Sequence, residues 1–579
     1  MTAPAAPPVT ATATFCATLV DEWVRAGVTA AMLAPGSRST PLALALTRQS
    51  RLRVHLFHDE RAAGYAAVGH GLTTGRPAVV LCTSGTAATH LHGAVVEADL
   101  AAVPLIVCTA DRPPELWGVG APQTIDQNGL YGSAVRGFHQ PGVPHDGDSG
   151  WWRSLASRLV ADAVGWAGRP GPVHANLSFR DPLVGSPGPL PPGRPGTAPW
   201  HRTEPGPRAA TPAPGGAATV LLDTVVEPGT GRGRARSGVF VVGRTTARSE
   251  SITELARRLG WPVLADHRSG CRGGDTAIRR FDGLLRSPSF AAAAVPDVIV
   301  RIGEPLASKL VSQWIETAAA AGTEVISVTD RGRWIDPERA ASVVVDDPAG
   351  LDDLPAALPE RLRPAATAAW WRRADEAAGA AGANRLPVEP AVMAAVVDTL
   401  PPEAALVVAS SMPVRDLEWY GPPGSGVAVL ANRGANGIDG VVATAIGVAL
   451  TGRPTTVVVG DLAFLHDSTA LIALAARDVD LEIVVIDNDG GGIFSFLAQA
   501  ALLDHERFEA LFGTPHGTDV AALAAAHRLP VTRWPDRTPG PGPRVVVASS
   551  DRDANRAGHA ALNAAIVAVA DDHAASNPR

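Results

Sequence analysis

One stretch limits the folds open to this chain more than any other: VVVGDLAFLHDSTALIALAARDVDLEIVVIDNDGGGIF, beginning at Val457. An apolar β-branched run ends in Gly460-Asp461, and a helix-like segment with polar breaks follows. A second apolar run, LEIVVI, then stops at Asp487-Asn488-Asp489 and three glycines. Two such runs around a helical segment predict a βαβ unit. The carboxyl ends of parallel strands share one edge of a sheet, so Asp461 and Asn488, 27 positions apart, are expected to face one crevice. A hard divalent cation such as Mg²⁺ takes a few protein oxygens and fills its shell from phosphates and water. Glycines at 490–492 allow close backbone approach, and a helix starting after Asp461 would favour a diphosphate beside the metal. Asp and Asn at strand ends are also ordinary turn formers, so the pair alone does not decide the chemistry.

The rest of the chain repeats strand-led units. VTAAMLAPGSRSTPLALAL reads as strand, turn and helix; Ser37 and the turn amides suit an anion, and Arg38 can grip a carboxylate bidentately. Serines before a helix are equally ordinary caps. LRVHLFHDERAAGYAAVGHG puts Glu60 where a strand stops, either at a crevice or simply at a favourable helix N-terminus. Two more strands surround a TSGTAA turn containing Ser84 and end in ADRPPEL with Arg112; a loop carrying QTIDQ, with Gln123, follows. The middle of the chain, with GVFVVGRTTA, WPVLADHRSG, DVIVRIGEPLASKLVSQWI and TEVISVTD, is Rossmann-like without a good GxGxxG fingerprint. Further on, Ser410 and Ser411 follow a strand with Arg415 four residues beyond, and VLANRGANGIDGVVATAIGVAL contributes Arg433 before a small-residue helix.

These patterns predict an α/β protein with three doubly wound parallel-sheet domains, at 1–185, 217–364 and 388–579. A Pro/Gly linker is expected at 186–216, and an Ala-rich, partly helical one at 365–387.

GD at a strand end, followed after 25 to 30 residues by N-D with glycines, resembles the thiamine-diphosphate signature. Its usual form is GDG followed by NN; here Leu462 replaces the last Gly and Asp489 the second Asn. PGSRSTPL, HDERAAGYAAVG, TSGTAATHLHGAVVEA, ADRPPEL and QTIDQ, in this order, are similar to the MenD family of thiamine-diphosphate enzymes, and the likeness covers nearly the whole chain. The resemblance implies the thiamine-diphosphate decarboxylase-like architecture. It also implies decarboxylation of 2-oxoglutarate with Stetter-like conjugate addition of the succinyl unit to isochorismate, in menaquinone biosynthesis.

The same resemblance gives the residues roles. Glu60 is the carboxyl group that bonds the cofactor's aminopyrimidine and helps activate it, with a pKa expected to be raised by its apolar surroundings. Ser84, Gln123, Ser410, Ile438, Asp461, Leu462 and Asn488 contact thiamine diphosphate, Ile438 as the bulky side chain that keeps it bent. Asp461, Asn488 and the carbonyl of Gly490 hold Mg²⁺, or Mn²⁺. Arg38, Arg112, Lys309 and Gln123 are expected mainly at isochorismate, and Ser411, Arg415 and Arg433 at the succinyl end, with Ser37 as a neutral donor. A dimer is implied as the minimum active unit, with a tetramer possible.

Composition bears on what this chain is not. A net charge of −7 without a basic block argues against a nucleic-acid surface. No apolar run reaches the ~18 residues of a membrane span, and the start, MTAPAAPPVTATATF, lacks the basic region of a secretory signal, so a cytoplasmic protein is expected. Four widely spaced cysteines read as core residues. Lys309 is the only lysine in a chain that otherwise uses arginine, and it falls on a family substrate position. Two other readings stay open: an acetolactate-synthase-like carboligase, which would want a hydrophobic pocket and a flavin, and a non-catalytic Mg²⁺-nucleotide-binding protein.

Overall fold

The apolar β-branched runs become strands, and the strands build three six-stranded parallel sheets. The computed structural model describes residues 7–203, 217–227, 233–330, 332–423, 426–537 and 540–576; the expected linker positions 204–216 lie outside them. The first sheet contains β1 (Ala30–Leu33), β2 (Arg53–Leu56), β3 (Ala78–Cys82), β4 (Leu105–Asp111), β5 (Phe138–His139) and β6 (Pro172–Ser178), in the order β2-β1-β3-β4-β6-β5. The second has β7 (Gly238–Val242), β8 (Val263–Ala265), β9 (Ala277–Ile278), β10 (Val298–Ile302), β11 (Glu324–Val328) and β12 (Val343–Val345), ordered β12-β11-β10-β7-β8-β9. The third has β13 (Ala405–Val408), β14 (Ala428–Leu430), β15 (Thr455–Gly460), β16 (Leu481–Asp487), β17 (Val531–Arg533) and β18 (Arg544–Ser549), ordered β14-β13-β15-β16-β18-β17. Asp461 directly follows β15 and Asn488 directly follows its sheet neighbour β16, as the βαβ pattern requires.

By packing, the chain forms two compact units. One comprises Met1–Arg208, Ala431–Val484 and Asp519–Val546; the other comprises Ala209–Leu430, Val485–Thr518 and Val547–Arg579.

In the first unit, the helix Glu60–Thr74 lies against the helix Val441–Ala449. Both are rich in Gly and Ala, and the contact shows why: a Cβ on Gly69 would collide with the Thr444 carbonyl, and one on Gly447 with the Ala66 carbonyl. Gly440, at φ +73°, lies under the Tyr65 ring with no room for a side chain. Polar ties fix the crossing. The Tyr65 hydroxyl donates to Asp439. Asp467 accepts from the amides of Gly440 and Val442, both at 2.8 Å, and Ala443 at 3.2 Å, capping the second helix. Asp59 caps the first helix through the Arg61 amide, 2.8 Å, and accepts from Thr469 Oγ1 at 2.6 Å. Glu60 is the first residue of that helix, directly after the Asp59 cap.

In the second unit, the strands of the second sheet alternate between two apolar layers. Phe240, Val242, Val298, Val300 and Ile302 face one, and Val239, Val241, Leu264 and Ile299 the other. The second layer takes in Trp370 and Trp371 of the helix Thr367–Gly382, together with Leu562, Ile566 and Ala570 of the last helix, Arg552–Ala574. Phe290 stacks on Trp370, with centroids 4.6 Å apart. The Ala-rich segment is therefore helix for most of its length, because two tryptophans anchor it to this layer. The four cysteines are free and buried, as expected.

Gly447→Ala places a methyl group into a carbonyl contact with no neighbouring side chain to yield. Overpacking typically costs ~1–3 kcal/mol, and the rigid backbone partner puts this position at the upper end; thermal unfolding should show a clear drop in Tm. Gly75→Ala, with open space around its Cβ but a φ of +66°, should cost less.

Candidate active site

At the carboxyl edge of the first sheet, the sequence-predicted donors converge. Arg112 follows β4 and donates to the Ser84 hydroxyl after β3. Ser84 Oγ donates to the Gln123 carbonyl at 3.1 Å, and Gln123 Nε2 returns a bond to the Ser84 carbonyl at 3.0 Å. Gln123 sits at φ +55°, and Gly85, at φ +82°, has no room for a Cβ beside it. Arg38 belongs to the same group. Its Nη1 donates to the Phe179 carbonyl at 2.9 Å and to Asp181 at 3.3 Å. Its Nε is buried with no hydrogen-bond partner among the described residues. Burial, and then the Arg38 charge, lower the Arg112 pKa, so two guanidiniums repel one another here and would welcome an anion. Ser37 is exposed on the adjoining turn.

Beneath these residues is a buried network that sequence reasoning did not assign. Gln127, 1% exposed, accepts the Gly85 amide at 2.9 Å and donates to Asn176 Oδ1 at 2.8 Å. Asn176 Nδ2 donates to Asp111 at 2.8 Å, and Asp111 accepts the Arg112 amide at 2.7 Å. The network thus locks the Ser84 turn to the Arg112 turn. Burial raises the Asp111 pKa despite the Asn176 and Arg112 bonds. The only signal in the sequence was that Gln127 closes QTIDQ.

The same unit carries five further predicted residues, Glu60, Arg433, Ile438, Asp461 and Leu462. Asp461 is 1% exposed, opens the short helix Asp461–His466 and accepts the Leu462 amide at 2.6 Å. Arg433 lies in a loop that Glu97 fastens: its two carboxylate oxygens accept the Gly434 and Ala435 amides at 2.8 and 2.7 Å. Ile438 is 42% exposed, although large and apolar. Glu60 is half-buried, and its charge adds to the burial that raises the Cys82 thiol pKa.

The second unit holds the other group. Asn488 Nδ2 donates to the buried Glu389 at 3.0 Å, which fixes the amide's carbonyl end as the acceptor. Asp489, where the usual signature has Asn, adopts φ +53° and accepts the amides of His516 and Gly517 at 2.9 and 2.8 Å. Those amides hold its pKa down. Gly490, at φ +141°, lies so close to the Gly513 carbonyl that a Cβ would collide with it.

A cavity of about 490 Å³, within the 300–1,000 Å³ of ordinary small-molecule sites, also lies in this unit. Lys309 and Arg415 line it together with Arg286, Arg556, Trp419 and Phe496. Lys309 opens the helix Lys309–Ala320. Met412, Arg415 and Trp419 reach the cavity from one face of the helix Met412–Tyr420. Arg415 Nη1 is braced by the carbonyls of Ser411, 2.7 Å, and Ser410, 3.2 Å. Burial lowers its pKa.

Three family models match: the N-terminal thiamine pyrophosphate-binding domain over residues 14–130, the middle domain over 223–351 and the C-terminal binding domain over 424–538. The 2-succinyl-5-enolpyruvyl-6-hydroxy-3-cyclohexene-1-carboxylate synthase of Thermobifida fusca is 41% identical over 95% of this chain and 98% of its own length. The chain belongs to that synthase family. The synthase-family proteins of Saccharopolyspora erythraea, 39% identical over 95% of this chain and 97% of theirs, and Geobacillus kaustophilus, 40% over 89% and 88%, agree. The family resemblance drawn from the ordered motifs therefore holds, and with it the three-domain thiamine-diphosphate architecture.

Gln127→Leu keeps the side chain's bulk but leaves the Gly85 amide buried and unpaired, at about 1–3 kcal/mol, and takes from Asn176 Oδ1 one of its two donors, the Thr109 hydroxyl remaining. Calorimetry should show a drop in Tm, and the apparent affinity for an anionic substrate should weaken as the Ser84 and Arg112 turns come apart.

Proposed function

We propose that the chain is a thiamine-diphosphate-dependent synthase that takes CO₂ from 2-oxoglutarate and adds the remaining succinyl unit to isochorismate by conjugate addition. The observation that carries this reading is the split of cations into two groups, Arg38 with Arg112 and Lys309 with Arg415. Two dicarboxylates need several partly desolvated positive charges, and guanidiniums also fix their orientation. An acetolactate-synthase-like enzyme would want an apolar pocket instead, and the likeness to the synthases along nearly the whole chain speaks against a passive nucleotide-binding protein.

Thiamine diphosphate supplies, when bound, the carbon nucleophile and electron sink that decarboxylation of a 2-oxo acid needs. The residues fit it. Asp461 and Asn488 are hard oxygen donors at the ends of neighbouring strands, and the glycine-tight turn at 490 brings backbone close; this set suits Mg²⁺ or Mn²⁺. Glu60 would hold a proton facing the cofactor's aminopyrimidine, and Ser84, Gln123, Ser410, Leu462 and Ile438 would hold and orient the cofactor. Arg415, Arg433 and Ser411 bind the succinyl end; Arg38, Arg112, Lys309 and Gln123 orient isochorismate, with Ser37 alongside. The working form is a homodimer or a dimer of dimers in the cytoplasm. No helix among the described residues is long and apolar enough to cross a membrane.

The test is CO₂ release from 2-oxoglutarate with thiamine diphosphate and Mg²⁺, measured with and without isochorismate while isochorismate absorbance is followed. Coupled consumption of both is expected; CO₂ release without isochorismate loss would refute the acceptor. Glu60→Gln should lower turnover about 10²–10⁴-fold, the usual range for a positioned acid–base group, while cofactor binding by fluorescence quenching persists. Full activity of that variant would remove Glu60 from the mechanism.

A further inference from the structure

Behind the second unit's cavity, a buried glutamate grips the backbone that carries the chain's only lysine. Glu418 is 1% exposed, three residues after Arg415 on the helix Met412–Tyr420. Its Oε2 accepts the Ala307 amide and its Oε1 the Ser308 amide, each at 2.8 Å. Lys309 is the next residue and the first of its helix. Ser308 Oγ is tied in turn to Asp282 at 2.6 Å, and Asp282 holds Arg286 at 2.8 and 3.0 Å. Burial pushes the Glu418 pKa up to about 7, with the Ala307 amide and Arg272 opposing, and Asp266 and Asp282 reinforcing. Burying a carboxylate this deeply is costly unless it is well bonded, and one merely needed to cap a helix could have stayed at the surface.

We infer that Glu418 is the positioning residue that sets Lys309 against Arg415, fixing the spacing of the two substrate-facing cations in the cavity. The helix Met412–Tyr420 carries Arg415 and, through Glu418, grips the two amides just before Lys309, so one rigid element bears on both charges. This inference rests on the proposed role of Lys309 and goes beyond it by naming what holds that lysine in register.

The test exploits Lys309 being unique. Reductive methylation of the full chain with ¹³C-formaldehyde gives one dimethyl-lysine resonance, assigned by its loss in Lys309→Arg. In Glu418→Gln, one of the two amides faces an NH₂ instead of an acceptor. The resonance should move, and on the unmethylated enzyme the KM for isochorismate should rise about tenfold, with kcat and the KM for 2-oxoglutarate within about threefold. A conventional stabilising role predicts a lower Tm with an unmoved resonance and no selectivity between substrates, and that result overturns the inference. Should Glu418→Gln fail to fold, Glu418→Asp, which keeps the charge but is one methylene too short to reach both amides, carries the same readouts. Lys309→Ala separates the two ideas: an unchanged isochorismate KM refutes the role of the lysine, whereas a raised one beside a silent Glu418→Gln refutes only the clamp.

Discussion

The crossing of the helices Glu60–Thr74 and Val441–Ala449 is the constraint on which the first unit depends. Two backbones can approach this closely only where side chains are absent, so Gly69, Gly440 and Gly447 set the distance and the surrounding polar groups set the angle. Asp467 is buried and would be expensive without its three amide donors; desolvation still raises its pKa against them. Glu97 works the same way on the loop before Ile438, paying out both carboxylate oxygens to backbone. Rigid placement of Glu60, Arg433, Ile438 and Asp461 thus comes from carboxylates that perform no chemistry themselves.

A second theme is how the molecule keeps cations ready for anionic partners. An arginine taken from water must be bonded or it is destabilising, and a fully satisfied one has little to offer a substrate. Arg415 resolves this by spending one end on the Ser410 and Ser411 carbonyls, and Arg38 by spending Nη1 on Phe179 and Asp181. Carbonyl acceptors brace a guanidinium without neutralising it, and the one carboxylate at Arg38, Asp181, is an exposed partner at 3.3 Å, a weak ion pair. Contrast Arg268, whose charge is consumed by Asp266 and Glu304, at 2.7 and 2.6 Å, and which is structural.

Strands and their order along the chain were legible because β-branched runs between turn residues have few other uses. The family was legible because whole motifs recur in order, as with PGSRST and ADRPPEL, and the strand-end positions of Asp461 and Asn488 because each closes a β-branched run. The supporting residues were not. Gln127, Asn176, Glu97, Glu389 and Glu418 act on partners 42, 65, 337, 99 and 111 positions away, so no local pattern marks them. The helix Thr367–Gly382 was similarly obscured: its alanines suggested a partly helical connection, but its placement depends on Trp370 and Trp371 meeting Phe290, far off in sequence.

Asp489 shows how a departure from a motif can be read once its surroundings are known. An amide side chain at this position could offer one oxygen, and a carboxylate offers the same oxygen with a full charge. Asp489 Oδ1 accepts two successive backbone amides, from His516 and Gly517, and it does so from a left-handed backbone that Asp and Asn tolerate better than most residues. Charge strengthens both bonds, so the substitution tightens the closure of the 513–518 segment over the glycine turn. Asn488, immediately before it, keeps its own orientation from Glu389 rather than from this loop. The two positions of the signature therefore have separate attachments, Asn488 to the buried Glu389 and Asp489 to the His516–Gly517 backbone.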